Sequence, residues 1–160
     1  MKHLLNHCAK HWIDAIDIVD SEEDVPLRER VQRANAIHRE RGNCIYVSVH
    51  ANAFGNGRDF NSAKGICTFH HFNSEKGKKL ADTLQKWLGD LTDFRDRGVI
   101  ANDKWANFYV LRKTNMPAVL SENGFMTNFE DARDLLKPQV QRLVGHAHFA
   151  LIQEIEAHGL

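Results

Sequence analysis

The chain has 160 residues, 42% of them apolar and 26% charged, and its 21 Lys plus Arg are balanced by 21 Asp plus Glu. That length suits one domain, residues 1–160, with a core of its own, and zero net charge excludes a field that gathers nucleic acid or an anionic membrane surface. No run approaches the ~20 apolar residues of a membrane span, and Met1 to Cys8 lacks the apolar stretch of a secretory leader. Cys8, Cys44 and Cys67 show no C-x-x-C spacing, so they read as reduced thiols.

Residues 1–12 carry Leu4, Leu5, Cys8 and Trp12 near helical spacing and read as the later part of an amphipathic helix. Its histidines His3, His7 and His11 share one face at i, i+4 spacing and read as a solvated or half-buried stripe rather than metal ligands. Ile13 to Val19 alternates apolar and acidic residues and predicts a short strand, and Asp20 to Asp24 a polar loop. Pro26 opens a helix striped by Leu27, Val31, Ala34 and Ile37, and Gly42 closes it.

Cys44 to Val49 is almost continuously apolar, the pattern of a strand covered on both faces. Ala53 to Ser62 is a loop, Lys64 to Phe72 a strand, and Ser74 to Leu88 a helix with Leu80, Leu84, Trp87 and Leu88 inward. Leu91 to Asn107 shows no period and is expected to be a long loop. Phe108 to Leu111 and Ala118 to Leu120 read as strands around the turn Lys113 to Pro117. Thr127 and Glu130 have the spacing of a capping box for a short helix to Leu136, and Pro138 to Ala157 forms a last helix that Gly159 stops. Together these elements predict an α/β fold, a twisted, mostly parallel sheet with helices on both faces. Because the chain enters in mid-helix, a strand upstream of Met1 is expected, leaving the fold incomplete at its amino end and a sheet edge open to self-association.

Two apolar runs end in an ionisable residue: Cys44 to Val49 delivers His50, and Pro117 to Leu120 delivers Ser121 and Glu122. Open α/β sheets place ligands and catalytic groups at such strand ends. His50 reads either as a histidine bonded to a loop carbonyl or as a metal ligand through a neutral nitrogen. Glu122 reads either as an ion-pair partner of an arginine such as Arg112, or as a general base raised in pKa by burial. Gly124 after it allows positive φ or close backbone approach. Arg97 and Arg112 are candidates to pair with substrate carboxylates, and Phe54, Trp105 and Tyr109 are aromatic candidates for a sugar groove or for the core.

The segments Ser48-Val49-His50-Ala51-Asn52-Ala53, Ala63-Lys64-Gly65-Ile66, Phe108 to Arg112 and Pro117 to Asn128, with Val25 to Asn35, resemble in order the zinc-dependent N-acetylmuramoyl-L-alanine amidases of the third amidase family. The resemblance implies one Zn²⁺ held by two histidines and a glutamate. It also implies hydrolysis of the amide between N-acetylmuramic acid and L-alanine of peptidoglycan, at the cell wall or periplasm or after delivery by a phage. Carried over by motif, His50 matches the second zinc histidine and Glu122 the glutamate that activates the zinc-bound water. Asn52 and Arg112 are the candidates for contact with substrate. The family's Asp-x-Gly-His-Gly-like segment and the glutamate opening its first helix have no counterpart in this chain. One histidine does not make a three-ligand zinc site. The expectation is therefore weak zinc binding or none, with a muropeptide-binding chain that does not hydrolyse as the alternative to an amidase.

Overall fold

A computed structural model describes residues 1–103 and 107–160, so Trp105 lies outside the described residues. In chain order they form α1 (Lys2–Lys10), α2 (Leu27–Arg41), β1 (Tyr46–Asn52), β2 (Ile66–His71), α3 (Glu75–Leu91), β3 (Asp96–Asn102), α4 (Tyr109–Lys113), β4 (Ala118–Phe125), α5 (Phe129–Leu135) and α6 (Pro138–His158). Among the described residues no helix is long and apolar enough to cross a membrane.

Every residue of β4 is buried, because the strand has neighbours on both sides and helices on both faces. The sheet order is β1-β4-β2-β3. β1 runs parallel to β4 and β3 parallel to β2, but β2 and β4 are antiparallel. Side chains alternate across a strand, so β4 sends Leu120 to one core and Val119 to the other. Val31 and Ala34 of α2, Val110 and Leu111 of α4, Tyr46, Cys67 and Phe69 pack around Leu120. Leu80, Leu84 and Leu88 of α3 and Val144, Ala147 and Leu151 of α6 pack with Ile66 and Val119. α1 lies on α6 through Leu4, Cys8 and Phe149. The expected α/β sheet with helices on both faces is what forms, and Cys8, Cys44 and Cys67 are free thiols.

Four local expectations are corrected. Ile13 to Val19 is not a strand: no ladder partner lies beside it among the described residues, and its polar groups are satisfied locally, with Val19 N–H donating to Asp17 Oδ1 at 3.0 Å and Arg33 to the Ile18 carbonyl at 2.9 Å. Within the supposed long loop, Asp96–Asn102 is the edge strand β3, whose half-exposed, weakly apolar sequence hides a strand that exists by pairing with β2. Phe108 to Leu111 is not a strand but leads into α4; the adjacent Val110 and Leu111 are both buried on one core, which a helix permits and a strand does not. Asn128, not Thr127, caps α5, accepting from the N–H of Glu130 and Asp131, while Thr127 Oγ1 accepts from Phe54 N–H at 3.0 Å.

One buried carboxylate ties the site end of the sheet together. Asp131 Oδ2 accepts from Gly65 N–H at 2.8 Å and Phe125 N–H at 2.9 Å, joining the approach to β2 with the last residue of β4. Gly65 sits at φ +108°, where an added Cβ would meet the Arg95 carbonyl oxygen at 2.1 Å, so the approach to β2 is open only to glycine. Replacing Asp131 by Ala leaves two buried N–H groups without an acceptor and is expected to cost about 3 kcal/mol, with Asp131→Asn losing less. Urea denaturation checks this; a loss below about 1 kcal/mol for the alanine variant would show that other acceptors take over.

Candidate functional site

Parallel pairing of β1 with β4 sets His50 opposite Glu122, and antiparallel pairing of β2 with β4 sets Cys67 opposite Glu122 from the other side. Tyr46 and Leu120 belong to the same core, so by strand alternation Ser48, His50 and Glu122 share the α2 face. Adjacent strands are about 4.8 Å apart, which makes His50, Glu122 and Cys67 a row of neighbours across the sheet. The two ionisable residues singled out by sequence are thus brought to one place.

Glu122 is 7% exposed, and its Oε2 has no hydrogen-bond partner. Burial raises its pKa from 4.5 to about 7, so near neutral pH it is poised between acid and base. The same burial pushes the Cys67 thiol up to about 11, with Glu122 adding to the rise and Arg97 and Asn52 acting against it. His50 is exposed as a residue, yet burial around it lowers its pKa, with a further push from Arg30. Both effects favour the neutral imidazole. Nε2 lies 2.8 Å from Ser48 Oγ and the His50 carbonyl accepts from Asn123 Nδ2 at 2.9 Å, so the ring and the backbone behind it are both anchored.

Asn52 ends β1 opposite Phe125, where the register shifts. Its side-chain oxygen accepts from Ala53 N–H at 2.8 Å and its carbonyl from Met126 N–H at 2.7 Å, which pins the loop after β1 to the loop after β4. Gly124 has φ +91°, and an added Cβ would stand 3.1 Å from the Phe94 ring, so the close approach expected there is real. Arg112 is elsewhere. It stands in the last turn of α4, its guanidinium 5.8 Å from the Tyr109 ring centre, beside a cleft lined by His71, Asn115, Pro117 and Ala118 at the amino end of β4. The structure does not bring it to Glu122, and no ion pair joins the two among the described residues. Tyr109 packs against the core and Phe54 is exposed on the loop after β1.

Ser121 and Asn123 point to the opposite face. Ser121 Oγ lies 2.7 Å from His148 Nε2, and His148 Nδ1 donates to the Val144 carbonyl at 2.7 Å. Burial holds the His148 pKa down at about 4, and with Ser121 and His148 at 0% and 1% exposure this pair is out of reach of substrate. Sequence reasoning missed Cys67 and weighed Arg97 only alongside Arg112; the antiparallel turn of β2, which carries both Cys67 and its neighbour Arg97 to the end of β4, leaves no local signal in the sequence.

A family model described as N-acetylmuramoyl-L-alanine amidase matches residues 2–154. The chain is 34% identical over 148 residues to the uncharacterized protein YqiI of Bacillus subtilis, covering 91% of this chain and 66% of YqiI. It is 36% identical over 111 residues to the N-acetylmuramoyl-L-alanine amidase LytC of the same organism, covering 68% of this chain and 20% of LytC. The chain therefore spans less than two thirds of the length of these curated relatives. The crystal structure of an N-acetylmuramoyl-L-alanine amidase from Clostridium difficile 630 superposes with a TM-score of 0.86 at 29% identity, covering 98% of this chain and 80% of that one. With nearly its whole length matched in sequence and in fold, the chain belongs to the N-acetylmuramoyl-L-alanine amidase family.

Proposed function

We propose that the chain acts on bacterial cell wall, hydrolysing the amide between the lactyl group of N-acetylmuramic acid and L-alanine of the peptidoglycan stem peptide. The observation that carries this is Glu122: a buried carboxylate at a strand end, one oxygen unpartnered, its pKa raised to about 7. Amide hydrolysis needs a group that removes a proton from attacking water and returns one to the leaving amine, and a pKa near the working pH serves both halves. His50 beside it is held by Ser48, and Asn52 fixes the loop that walls the same end of the sheet. Arg112 stands away from these groups, beside the amino end of β4.

The zinc that the family implies is a separate question. Among the described residues no group of three or more His, Cys, Asp or Glu side chains is placed to hold a metal ion, and the His50 Nε2 is taken up by Ser48. A catalytic zinc needs three protein ligands, so the residues present do not fit it. That donor set favours a second reading, retention of muropeptide with little hydrolysis.

Purified peptidoglycan incubated with the chain decides between them. New L-alanine amino termini, abolished in Glu122→Gln, support hydrolysis; retention on the wall with no new termini supports binding; neither release nor retention overturns both. Where hydrolysis is seen, Glu122→Gln is expected to lower kcat at least about 100-fold with KM little changed. Calorimetric titration is expected to show zinc binding weaker than about 1 μM, and tight one-to-one binding would overturn the statement that the donors do not fit.

Glu122 also leaves a mark on stability. Its folded pKa lies above the unfolded value, so the contribution of Glu122 to stability is greatest below about pH 4.5 and is lost as pH rises through 7. Glu122→Gln is expected to gain about 3 kcal/mol over wild type at pH 8 and much less at pH 4. Urea denaturation at the two pH values measures the difference, and an equal gain at both would show that the carboxylate is not held against its charge.

A further inference from the structure

Two cations act on the residues of the site. Arg30 influences His50, but it is already engaged: its guanidinium bonds Asp24 at 2.8 Å and the Val25 carbonyl at 2.7 Å. Arg97, the second residue of β3, acts on Cys67. Its guanidinium stands 5.2 Å from the centre of the Phe125 ring, and one N–H reaches the Lys64 carbonyl at 3.4 Å. Phe125 is 4% exposed, so the ring is a fixed platform. Lys64 has its own ammonium on Glu130 at 2.8 Å. Arg97 has no acidic side chain within ion-pair distance among the described residues. Glu122 does not neutralise it either, since burial alone accounts for the shift of that carboxyl group.

An exposed arginine held by an aromatic face and a backbone carbonyl, rather than by a counter-ion, keeps most of its five donors in a preset plane. That plane matches a carboxylate, which takes two parallel N–H bonds. We propose that Arg97 is a specificity-determining residue that receives a free carboxylate of the peptide part of the substrate while the scissile amide lies over Glu122. The inference rests on the amidase reading and deepens it by naming the charge that the substrate carries beside the cleaved bond. It also separates the two arginines that sequence alone leaves equivalent, because Arg112 stands at the other end of β4.

The test uses two muramyl dipeptides that differ in one group, a free carboxylate or its carboxamide on the residue after L-alanine, titrated into the full chain and read by calorimetry. Wild type is expected to bind the carboxylate about tenfold more tightly than the amide. R97Q is expected to lose that preference by weakening on the carboxylate alone, and R97K, which keeps charge but not the fork, to fall between. R112Q is expected to behave as wild type. Thermal melting confirms that the variants are folded, and R97K carries the comparison if R97Q is not. Equal binding of both compounds by wild type, or an unchanged preference in R97Q, overturns the assignment of Arg97 and leaves the amidase reading standing. Binding of neither compound by wild type overturns both.

Discussion

The central strand of the sheet carries three polar residues in a row through a fully buried environment, and the rest of the site follows from how each is satisfied. Ser121 and Asn123 turn to the α6 face, where His148, the His50 carbonyl and the Ser121 hydroxyl supply hydrogen bonds. Glu122 turns the other way and is left with an unpartnered oxygen. A buried polar group without a partner costs about 1–3 kcal/mol, and folded chains keep few of them. Asn123 Oδ1 carries the same kind of cost on the α6 face, but the Glu122 carboxyl group can respond to it, by holding its proton to about pH 7. His148 does the reverse on the opposite face, giving up its proton so that a neutral ring can bond Ser121. The two shifts push stability in opposite directions as pH falls, so the carboxyl group that strains the fold at neutral pH relaxes it in acid.

Strand direction decides which residues keep Glu122 company. In an all-parallel sheet the carboxyl ends of four strands would meet at the site. β2 and β3 run against β4 instead, so the site gathers the ends of β1 and β4 with the beginnings of β2 and β3. Cys67 and Arg97 enter at that point, while His71 and Arg112 are carried to the far end. Asp131 holds this junction by bonding the backbone of Gly65 and Phe125 at once. A residue in the first turns of α5 thus fixes the spacing between two strands that meet at the chemistry.

What the sequence made legible was what is periodic or locally chemical. The helices from Leu27, Glu75 and Pro138 show their stripes plainly, and β1 and β4 announce themselves as apolar runs ending in His50 and Glu122. The losses have a common cause. β3 exists only because β2 supplies hydrogen bonds to a sequence too polar to read as a strand, and Ile13 to Val19 has an alternating pattern but no neighbour to pair with. In α4 a β-branched and aromatic run is bent into a helix because both Val110 and Leu111 find the same core. Propensity is overridden wherever a partner element, distant in sequence, provides or withholds the ladder. The pairing of Cys67 with Glu122 was hidden for the same reason, since the reversal of β2 is a property of the sheet.

The poise of Glu122 depends on where the nearby positive charges are spent. A cation against its carboxylate would favour the ionised form and bring the pKa back toward the usual range. Each arginine near the site is instead held by something else: Arg30 by Asp24 and a backbone carbonyl, Arg97 by the face of Phe125 and the carbonyl of Lys64. An aromatic face is the partner that fits this demand, because it fixes a guanidinium without cancelling its charge. The arrangement keeps two opposite requirements apart by two strand spacings, roughly 10 Å of sheet: a carboxyl group able to carry a proton near neutral pH, and a positive charge still free to meet an anion from solution. Shortening the distance between them would satisfy both within the protein and leave neither for a substrate.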